Sequence, residues 1–328
     1  MDQLVGSSYA PLATVRGAQQ FLRRYLPVTR LVEAASLSAL IGRKVHLKLE
    51  TEQPTGSFKP RGALWALSRN LERRRVREVV ASSTGNHGAA VALAGKVLGV
   101  QATIFLPENP NPVKRARIAA LGARIVEEGS LDLAQAFQKA LAYAKKDGVY
   151  FLNDATDLDV PVGPATIACE IFEQLPEVAC IYVPMGDTAL IRGIASAAKQ
   201  LSARVRIVGV QAERAPSYRL SWEKGEPVPT ASCDTIADGL ATRTPEADNV
   251  RAIREMVDDI RLVSEQQMLD AIRHLLLEEH IVAEPAGAAA TAALIAEPPI
   301  IPGPVVALVT GANVTPAVLR SAICGVDA

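Results

Sequence analysis

The chain alternates short runs of β-branched residues with longer alanine-rich stretches whose apolar positions follow a helical period. Such runs predict strands at 78–83, 102–107, 124–129, 149–154, 180–186, 206–212, 261–264 and 305–313. Gly99 and Gly122 each end a predicted helix immediately before a strand, and Ser264 with Gln267 forms a predicted capping box at the start of another helix. Helices that alternate with strands in this order predict βαβ units, and therefore parallel sheets flanked by helices.

The two successive series of strands indicate an α/β chain with two domains. A chain of 328 residues is also long enough for a large core and usually divides into two domains. We expect residues 79–155 to form a small domain, inserted into a large domain made of residues 1–78 and 156–328. Residues 213–248 are rich in proline and glycine and predict an irregular excursion, and long loops inside compact domains tend to be functional.

Composition and charge exclude several classes of partner. The 35 basic residues balance the 35 acidic ones, which leaves no electrostatic footprint for nucleic acid or an anionic membrane. No segment approaches the roughly 20 apolar residues that span a bilayer, and the N-terminus lacks the pattern of a signal peptide. The cysteines have no CxxC spacing, which favours free thiols in a reducing cytoplasm over a zinc site; they are Cys169, Cys180, Cys233 and Cys324.

The stretch TGSFKPRGA, residues 55–63, places Lys59 at the start of a predicted helix. Pro60 suits the first turn of a helix, and the residues after it continue a helical pattern. The helix dipole and the unpaired N–H groups at this end favour anions, so a structural cation is unexpected here. The same field is expected to depress the pKa of the amine, as a nucleophilic lysine needs. A solvated lysine beside a turn is the alternative interpretation.

The stretch SSTGNHG, residues 82–88, follows a predicted strand and opens a helix. Gly85 lets backbone come close to a ligand, and a helix N-terminus suits a carboxylate. The polar groups available there belong to Ser83, Thr84, Asn86 and His87. A dinucleotide loop is the rival interpretation, but it requires GxGxxG and only GxxG is present. His87 taken alone is better explained as an ordinary capped or core histidine.

The stretch PMGDTALIRG, residues 184–193, again runs from a predicted strand to a helix. Backbone N–H groups from Gly186 to Leu190 are expected to form an anion nest for a phosphate. Asp187 is unfavourable in such a nest. Either its carboxylate caps the helix and points away from the anion, or no phosphate binds and the loop is only a turn.

Together these motifs resemble the tryptophan synthase β-like family of pyridoxal phosphate enzymes, called fold type II, and most closely its serine/threonine dehydratase and serine racemase branch. The resemblance covers nearly the whole chain and includes TIADGLATRTP at 235–245, VAEPAGAA at 282–289 and LVTGAN at 308–313. It implies a homodimer that binds pyridoxal 5'-phosphate between two domains. The implied reaction is elimination of water from L-threonine, L-serine or a related β-hydroxy amino acid, which yields a 2-oxo acid and ammonia.

The resemblance also assigns roles to individual residues. Lys59 is implied to form the Schiff base with the cofactor and to move the Cα proton. Asn86 is implied to bond the ring hydroxyl and Thr310 to face the pyridine nitrogen, while Phe58 packs near the cofactor or serves the core. The implied phosphate cradle is Gly186, Asp187, Thr188, Ala189 and Leu190. The implied site for the substrate carboxylate is Ser83, Thr84, Gly85, Asn86 and His87.

Some positions depart from the pattern of this branch. Its phosphate loop is usually a run of four glycines, of which this chain keeps Gly186. Gln211 and Ser217 stand where metal-binding members carry carboxylates, so no metal is expected, because hard cations prefer carboxylates. Thr84 replaces the serine that serves the racemases as an acid/base on the opposite ring face. It is expected either to do that work or to line the pocket.

Two other functions stay open. A serine racemase of this branch can be distinguished from a dehydratase only by an assay. A β-replacing synthase of the cysteine synthase type usually carries threonine at the position of His87, so this residue argues against it. The sequence ends soon after LVTGAN, so we expect no C-terminal regulatory domain and no feedback inhibition by isoleucine.

Overall fold

The computed structural model describes residues 10–108, 110, 112–127 and 129–325 of the chain. The expectation about a signal peptide falls mainly on residues 1–9, which lie outside the described residues. The strands are β1 Leu31–Glu33, β2 Val45–Leu49, β3 Glu78–Ser82, β4 Gln101–Phe105, β5 Arg124–Val126, β6 Val149–Phe151, β7 Cys180–Pro184, β8 Arg206–Ala212, β9 Asp259–Val263 and β10 Val305–Val309. The helices are α1 Leu12–Leu22, α2 Ala35–Ile41, α3 Lys59–Arg73, α4 Asn86–Leu98, α5 Pro112–Ala120, α6 Leu133–Tyr143, α7 Val162–Gln174, α8 Ala189–Leu201, α9 Ser217–Lys224, α10 Ala247–Met256, α11 Glu265–Leu277, α12 Pro285–Ala296 and α13 Pro316–Cys324, with short 3-10 turns at Glu50–Glu52 and Asp238–Leu240.

The strands form two sheets, and the predicted α/β class is confirmed. The larger sheet has the order β1-β2-β10-β7-β8-β9 and is parallel except for β1, which runs antiparallel to β2. The smaller sheet has the order β5-β4-β3-β6 and is parallel throughout. All eight predicted strands are present. β1 and β2 were not predicted, because β1 is very short and β2 carries His46 and Lys48, which hide its apolar pattern.

The larger sheet is buried on both faces. Along β7, Ile181 and Val183 pack into one core with α1, α7 and α8, while Cys180 and Tyr182 pack into a second core with α11 and α12. This alternation is the two-residue period of a strand. Parallel sheets covered on both sides read as nearly continuous apolar runs, which is why CIYVPMG was recognisable as a strand.

Helix α3 connects the two sheets. Trp65 packs into the core beside α7 and α8, whereas Leu64 and Leu67 pack against the smaller sheet together with Val79 and Ala81 of β3. Since α3 begins at Lys59, the packing of this helix places Lys59 between the two sheets.

The prediction of an irregular excursion at 213–248 was partly wrong, because this segment contains the helix α9. Pro216 precedes the first turn of α9 and Gly225 ends it, so these residues delimit a helix and do not prevent one. The predicted capping box is confirmed. The Gln267 N–H donates to the Ser264 hydroxyl at 3.2 Å, and the Ser264 N–H donates to the Gln267 side chain at 2.8 Å.

Candidate active site

The motifs singled out in the sequence lie at the carboxyl ends of parallel strands. SSTGNHG connects β3 to α4, the loop at 184–190 connects β7 to α8, and Thr310 directly follows β10. Open parallel sheets place their ligands at this edge. Four helices that begin near this edge have no side-chain cap at their N-terminus, namely α3, α4, α8 and α12. Helices α1, α2, α7, α9 and α10 also lack one, so a missing cap does not by itself mark the site.

Lys59 is the first residue of α3, as predicted, and its ammonium forms an ion pair with the Asp154 carboxylate. The two side chains are 22% and 16% exposed, so both remain accessible from solvent. The Lys59 nitrogen also lies 5.3 Å from the centre of the Phe58 ring. Phe58 packs against the core at the same time, so this ring serves the core and borders Lys59.

The expectation of a depressed pKa for Lys59 was wrong. Burial does lower the pKa of this amine, but Asp154, Asp187 and Glu284 outweigh that effect and raise it above its ordinary value. The three carboxylates come from different loops, and the field of one helix terminus is weaker than a direct ion pair. Lys59 is therefore an ammonium in this structure, and it must lose a proton before it can act as a nucleophile or base.

Asp154 is a site residue that the sequence analysis missed. His87 Nδ1 lies 3.6 Å from its Oδ2, and His87 Nε2 lies 3.0 Å from the Leu152 carbonyl oxygen. Burial raises the pKa of Asp154, but His87 and Lys59 together hold it well below its usual range. A signal was present in the sequence, because Asp154 closes the stretch VYFLND and therefore lies at the carboxyl end of β6, beside β3.

The loop at 186–190 has the geometry of an anion nest. No hydrogen bond joins the backbone N–H groups of Gly186, Asp187 and Thr188 to any other described residue. Thr188 has a φ of 67°, which is rare for a β-branched residue and costs about 1–3 kcal/mol. Arg192 Nε donates to the Thr188 hydroxyl at 3.1 Å and supports this conformation from one turn into α8.

The carboxylate of Asp187 points away from the N-terminus of α8. It accepts a hydrogen bond from the Thr242 hydroxyl at 3.0 Å and does not cap the helix. Burial raises the pKa of Asp187, and repulsion from Asp154 raises it further. Gly186 is required by packing, because a Cβ at this position would lie 2.2 Å from the Gly239 carbonyl oxygen.

Asn86 is held by two further residues that the sequence analysis did not assign. Its amide donates to Glu284 Oε1 at 2.6 Å, and its carbonyl oxygen accepts from the Asn313 amide. Burial raises the pKa of Glu284, although the bond from Asn86 opposes this effect. Gly311 leaves room for the pair, since a Cβ there would lie 2.2 Å from Glu284 Oε1. Both Glu284 and Asn313 belong to motifs recognised in the sequence.

The remaining predicted residues take up simpler positions. The Thr310 hydroxyl is buried and lies 3.4 Å from the Ala286 carbonyl, while the Phe58 N–H donates to the Thr310 carbonyl at 3.1 Å. The Ser83 hydroxyl accepts from the Gly85 N–H at 3.2 Å. Within the described part of the chain, the Thr84 side chain makes no hydrogen bond.

The two positions weighed for a metal are engaged elsewhere. Gln211 accepts from the Arg219 N–H at 2.7 Å, and the Ser217 hydroxyl donates to the Thr242 carbonyl at 2.6 Å. Across the described ranges, no cluster of three or more histidine, cysteine or acidic residues could hold a metal ion. The expectation that activity needs no metal remains a prediction. None of the helices in the described residues is long and apolar enough to cross a membrane.

The residues present fit pyridoxal phosphate. Lys59 supplies an amine, and the nest at 186–188 supplies unpaired N–H donors for a phosphate. The space in front of Gly85 is open, since no atom lies within 4 Å of a Cβ built there. Thr310 supplies a buried, neutral hydroxyl directly after β10.

Comparison with known proteins agrees with this fit. The model of the family described as pyridoxal-phosphate dependent enzyme matches residues 22–311. An L-threonine ammonia-lyase from Thermotoga maritima is 35% identical over 92% of this chain and 75% of its own length.

Solved structures give the same result. The processed form of threonine deaminase isoform 2 from Solanum lycopersicum matches with a TM-score of 0.90 and 29% identity, over 97% of this chain and 94% of that one. A maize serine racemase matches with a TM-score of 0.86 and 27% identity, over 95% of this chain and 96% of its own. On this evidence, the chain belongs to the pyridoxal-phosphate dependent enzymes of fold type II.

Proposed function

We propose that the protein is an ammonia-lyase that eliminates water from L-threonine, L-serine or a related β-hydroxy amino acid. The observation that carries this proposal is the position of Lys59, whose amine pairs with Asp154 at the edge where α3, α4 and α8 begin, with His87 on the same carboxylate. The relative from Thermotoga maritima and the tomato structure, which are named for threonine deamination, support the same reaction.

Each group has a part in that reaction. Pyridoxal phosphate, when bound, draws electrons away from Cα and makes the Cα proton acidic. Lys59 holds the cofactor covalently and takes the Cα proton. The loop at 186–190 holds the phosphate, and Thr310 and Asn86 orient the ring. The uncapped start of α4, with Ser83, Thr84 and His87, holds the substrate carboxylate.

The hydroxyl on Cβ leaves as water only if it receives a proton. Loss of water leaves an enamine, which hydrolyses to a 2-oxo acid and ammonia after release. The reaction is therefore recognised by two products in equal amounts, and neither racemisation nor β-replacement produces this pair.

A substrate panel tests the proposal. L-threonine, L-serine and bulkier β-hydroxy amino acids are incubated with the holoenzyme, and the 2-oxo acid and ammonia are measured separately. We expect equal amounts of both products from at least one substrate. An inert panel, together with incorporation of a thiol at Cβ of O-acetyl-L-serine, would show a β-replacing synthase instead.

Racemisation is a second candidate, and the position of Thr84 favours testing it. The Thr84 hydroxyl makes no hydrogen bond to another described residue, so it is available as an acid/base, and a maize serine racemase has a similar fold. Thr84→Ala is expected to retain elimination and to abolish any conversion of L-serine to D-serine. We expect little racemisation in the wild type, and rapid chiral inversion of L-serine would reverse this order.

The same proposal extends to organisation and location. The separate sheets support a small domain at 79–155 within a large domain at 1–78 and 156–328. The cysteines are all unpaired, which supports a reducing cytoplasm. A homodimer is proposed from the resemblance to this family, and light scattering coupled to size exclusion tests it.

A further inference from the structure

Asp154 has no role in the reaction as proposed so far, although its carboxylate touches the central amine. The residue follows β6, while Lys59 begins α3 and His87 lies in the first turn of α4. Three separate elements thus bring one carboxylate against one amine and one imidazole. An ion pair this close to a nucleophilic lysine keeps the amine protonated, so it needs a chemical reason.

The other acids near Lys59 have partners of their own. Asp187 accepts from Thr242, and Glu284 accepts from Asn86. Among the described residues, Asp154 is the carboxylate in direct contact with the Lys59 nitrogen. Its side chain is 16% exposed.

We propose that Asp154 is a positioning residue that holds Lys59 as the ammonium, and that this ammonium protonates the departing β-hydroxyl. This role rests on the proposed β-elimination. It uses the existing contact between the Lys59 nitrogen and Asp154 Oδ2, which stabilises the charged amine.

The step balances in atoms and electrons. Lys59 takes the proton from Cα, and the electron pair of that C–H bond forms the double bond between Cα and Cβ. The Lys59 ammonium, held by the Asp154 carboxylate, then gives its proton to the β-hydroxyl. The Cβ–O bond breaks with its electron pair on oxygen, water leaves, and Lys59 returns to a neutral amine. No oxidant, reductant or further reactant takes part.

Leaving groups of different basicity test the role. Hydroxide needs a proton in order to leave, whereas chloride does not, so L-serine and β-chloro-L-alanine are compared in wild type and Asp154→Asn. We expect Asp154→Asn to lose about a hundredfold or more in kcat with L-serine. With β-chloro-L-alanine the same variant is expected to stay within about threefold of wild type.

A matched control tests whether the effect is specific to Asp154. Asp157 lies three residues further along and pairs with the Tyr150 hydroxyl, away from Lys59. Asp157→Asn is expected to change the ratio of the two rates by less than about twofold. Thermal melting of each variant shows whether it is folded.

A second measurement does not depend on turnover. In cofactor-free protein, pyridoxal and borohydride label the neutral form of Lys59, and mass spectrometry follows that peptide as the pH is raised. Asp154, Asp187 and Glu284 act on this amine, and His87 lies against Asp154. Removal of the Asp154 charge is expected to move the midpoint of labelling to lower pH by about one unit or more.

The outcomes separate the two proposals. Equal losses with both substrates, or an unchanged midpoint of labelling, would overturn the role of Asp154 while the lyase stands. Wild-type protein that is inert towards both substrates would overturn the proposed function and this role with it. An Asp154→Asn variant as active as wild type on L-serine would overturn the role of Asp154 alone.

Discussion

Lys59 and Arg61 lie two residues apart on α3, yet their surroundings differ. Arg61 is 2% exposed and bonds Glu50 and Glu170 at 2.8 and 2.7 Å, and the fully buried Lys48 bonds Glu170 at 2.7 Å. This group of four, called here the Arg61 cluster, contains as many cations as carboxylates. Lys59 is 22% exposed and faces an excess of carboxylates.

The difference separates a structural cluster from a reactive one. Buried ion pairs in which every charge has a partner hold elements in one arrangement, and removal of one member leaves an uncompensated charge. The Arg61 cluster joins α3 to β2, to the turn at Glu50–Glu52 and to α7. We infer that it fixes the start of α3, and with it Lys59. The site around Lys59 is partly accessible and has more carboxylates than cations, so protons can be exchanged there.

Substitution of Lys59 has the largest expected effect on activity. Lys59→Ala is expected to abolish turnover and the cofactor attachment that survives borohydride reduction, because no other amine contacts Asp154 within the described residues. The change should alter the free energy of unfolding by no more than about 1 kcal/mol, since the side chain is partly exposed. Lys96→Ala, on the exposed side of α4, is the control. Cofactor reduced onto another lysine would contradict the assignment.

Substitution of Arg61 is expected to affect stability more than substitution of Lys59 does. Arg61→Met is expected to lower the free energy of unfolding by about 3–5 kcal/mol, because Glu50 and Glu170 lose their buried partner. Urea denaturation measures the change, with Arg251→Met on an exposed pair as control. A loss of less than about 1 kcal/mol would mean that the Arg61 cluster does not hold the fold.

The pH dependence of stability sharpens the comparison further. Burial raises the pKa of Glu170, but Arg61 and Lys48 outweigh it and hold this pKa below its usual value. A depressed pKa stabilises the fold above the unfolded value of about 4.5, and the contribution is lost as pH falls through the folded value. The urea concentration at the midpoint of wild-type unfolding should therefore decrease as the pH is lowered below about 4.5. The midpoint of Glu170→Gln should depend less on pH there, and identical profiles would contradict the assignment.

A smaller effect is expected at Asp187. Asp187 belongs to the loop whose N–H groups are proposed to bind phosphate, so although its carboxylate bonds Thr242, Asp187→Asn removes a negative charge from that loop. We expect the affinity for pyridoxal phosphate at neutral pH to rise about fivefold, or about 1 kcal/mol. Pyridoxal, which lacks the phosphate, is the matched ligand and should bind with unchanged affinity. Weaker binding of pyridoxal phosphate would place Asp187 among the groups that hold it.

Chelation has the smallest expected effect. The Gln211 side chain accepts from the Arg219 N–H and the Ser217 hydroxyl donates to the Thr242 carbonyl, and neither side chain carries a charge. Treatment with a chelator should leave the rate within about twofold, because hard cations require carboxylate ligands. A large loss that magnesium restores would show a metal site that these residues do not predict.

Much of the fold follows from local patterns. The parallel strands were recognisable because both faces of β3 and β7 are buried, which gives continuous apolar runs. The start of α3 at Lys59 followed from Pro60, and the start of α11 from the capping box. β2 could not be recognised, because the burial of Lys48 depends on Glu170, which lies 122 residues away.

The sequence by itself determined the α/β class, the helix starts at Lys59 and Asn86, and the motifs that identify the family, since each depends on neighbouring residues. The tertiary structure decided which charges meet. Asp154 lies 95 residues from Lys59, and Glu284 lies 198 residues from Asn86. The pKa of Lys59 is raised and not lowered because these carboxylates act through space, over short distances that only the packing of the two sheets sets.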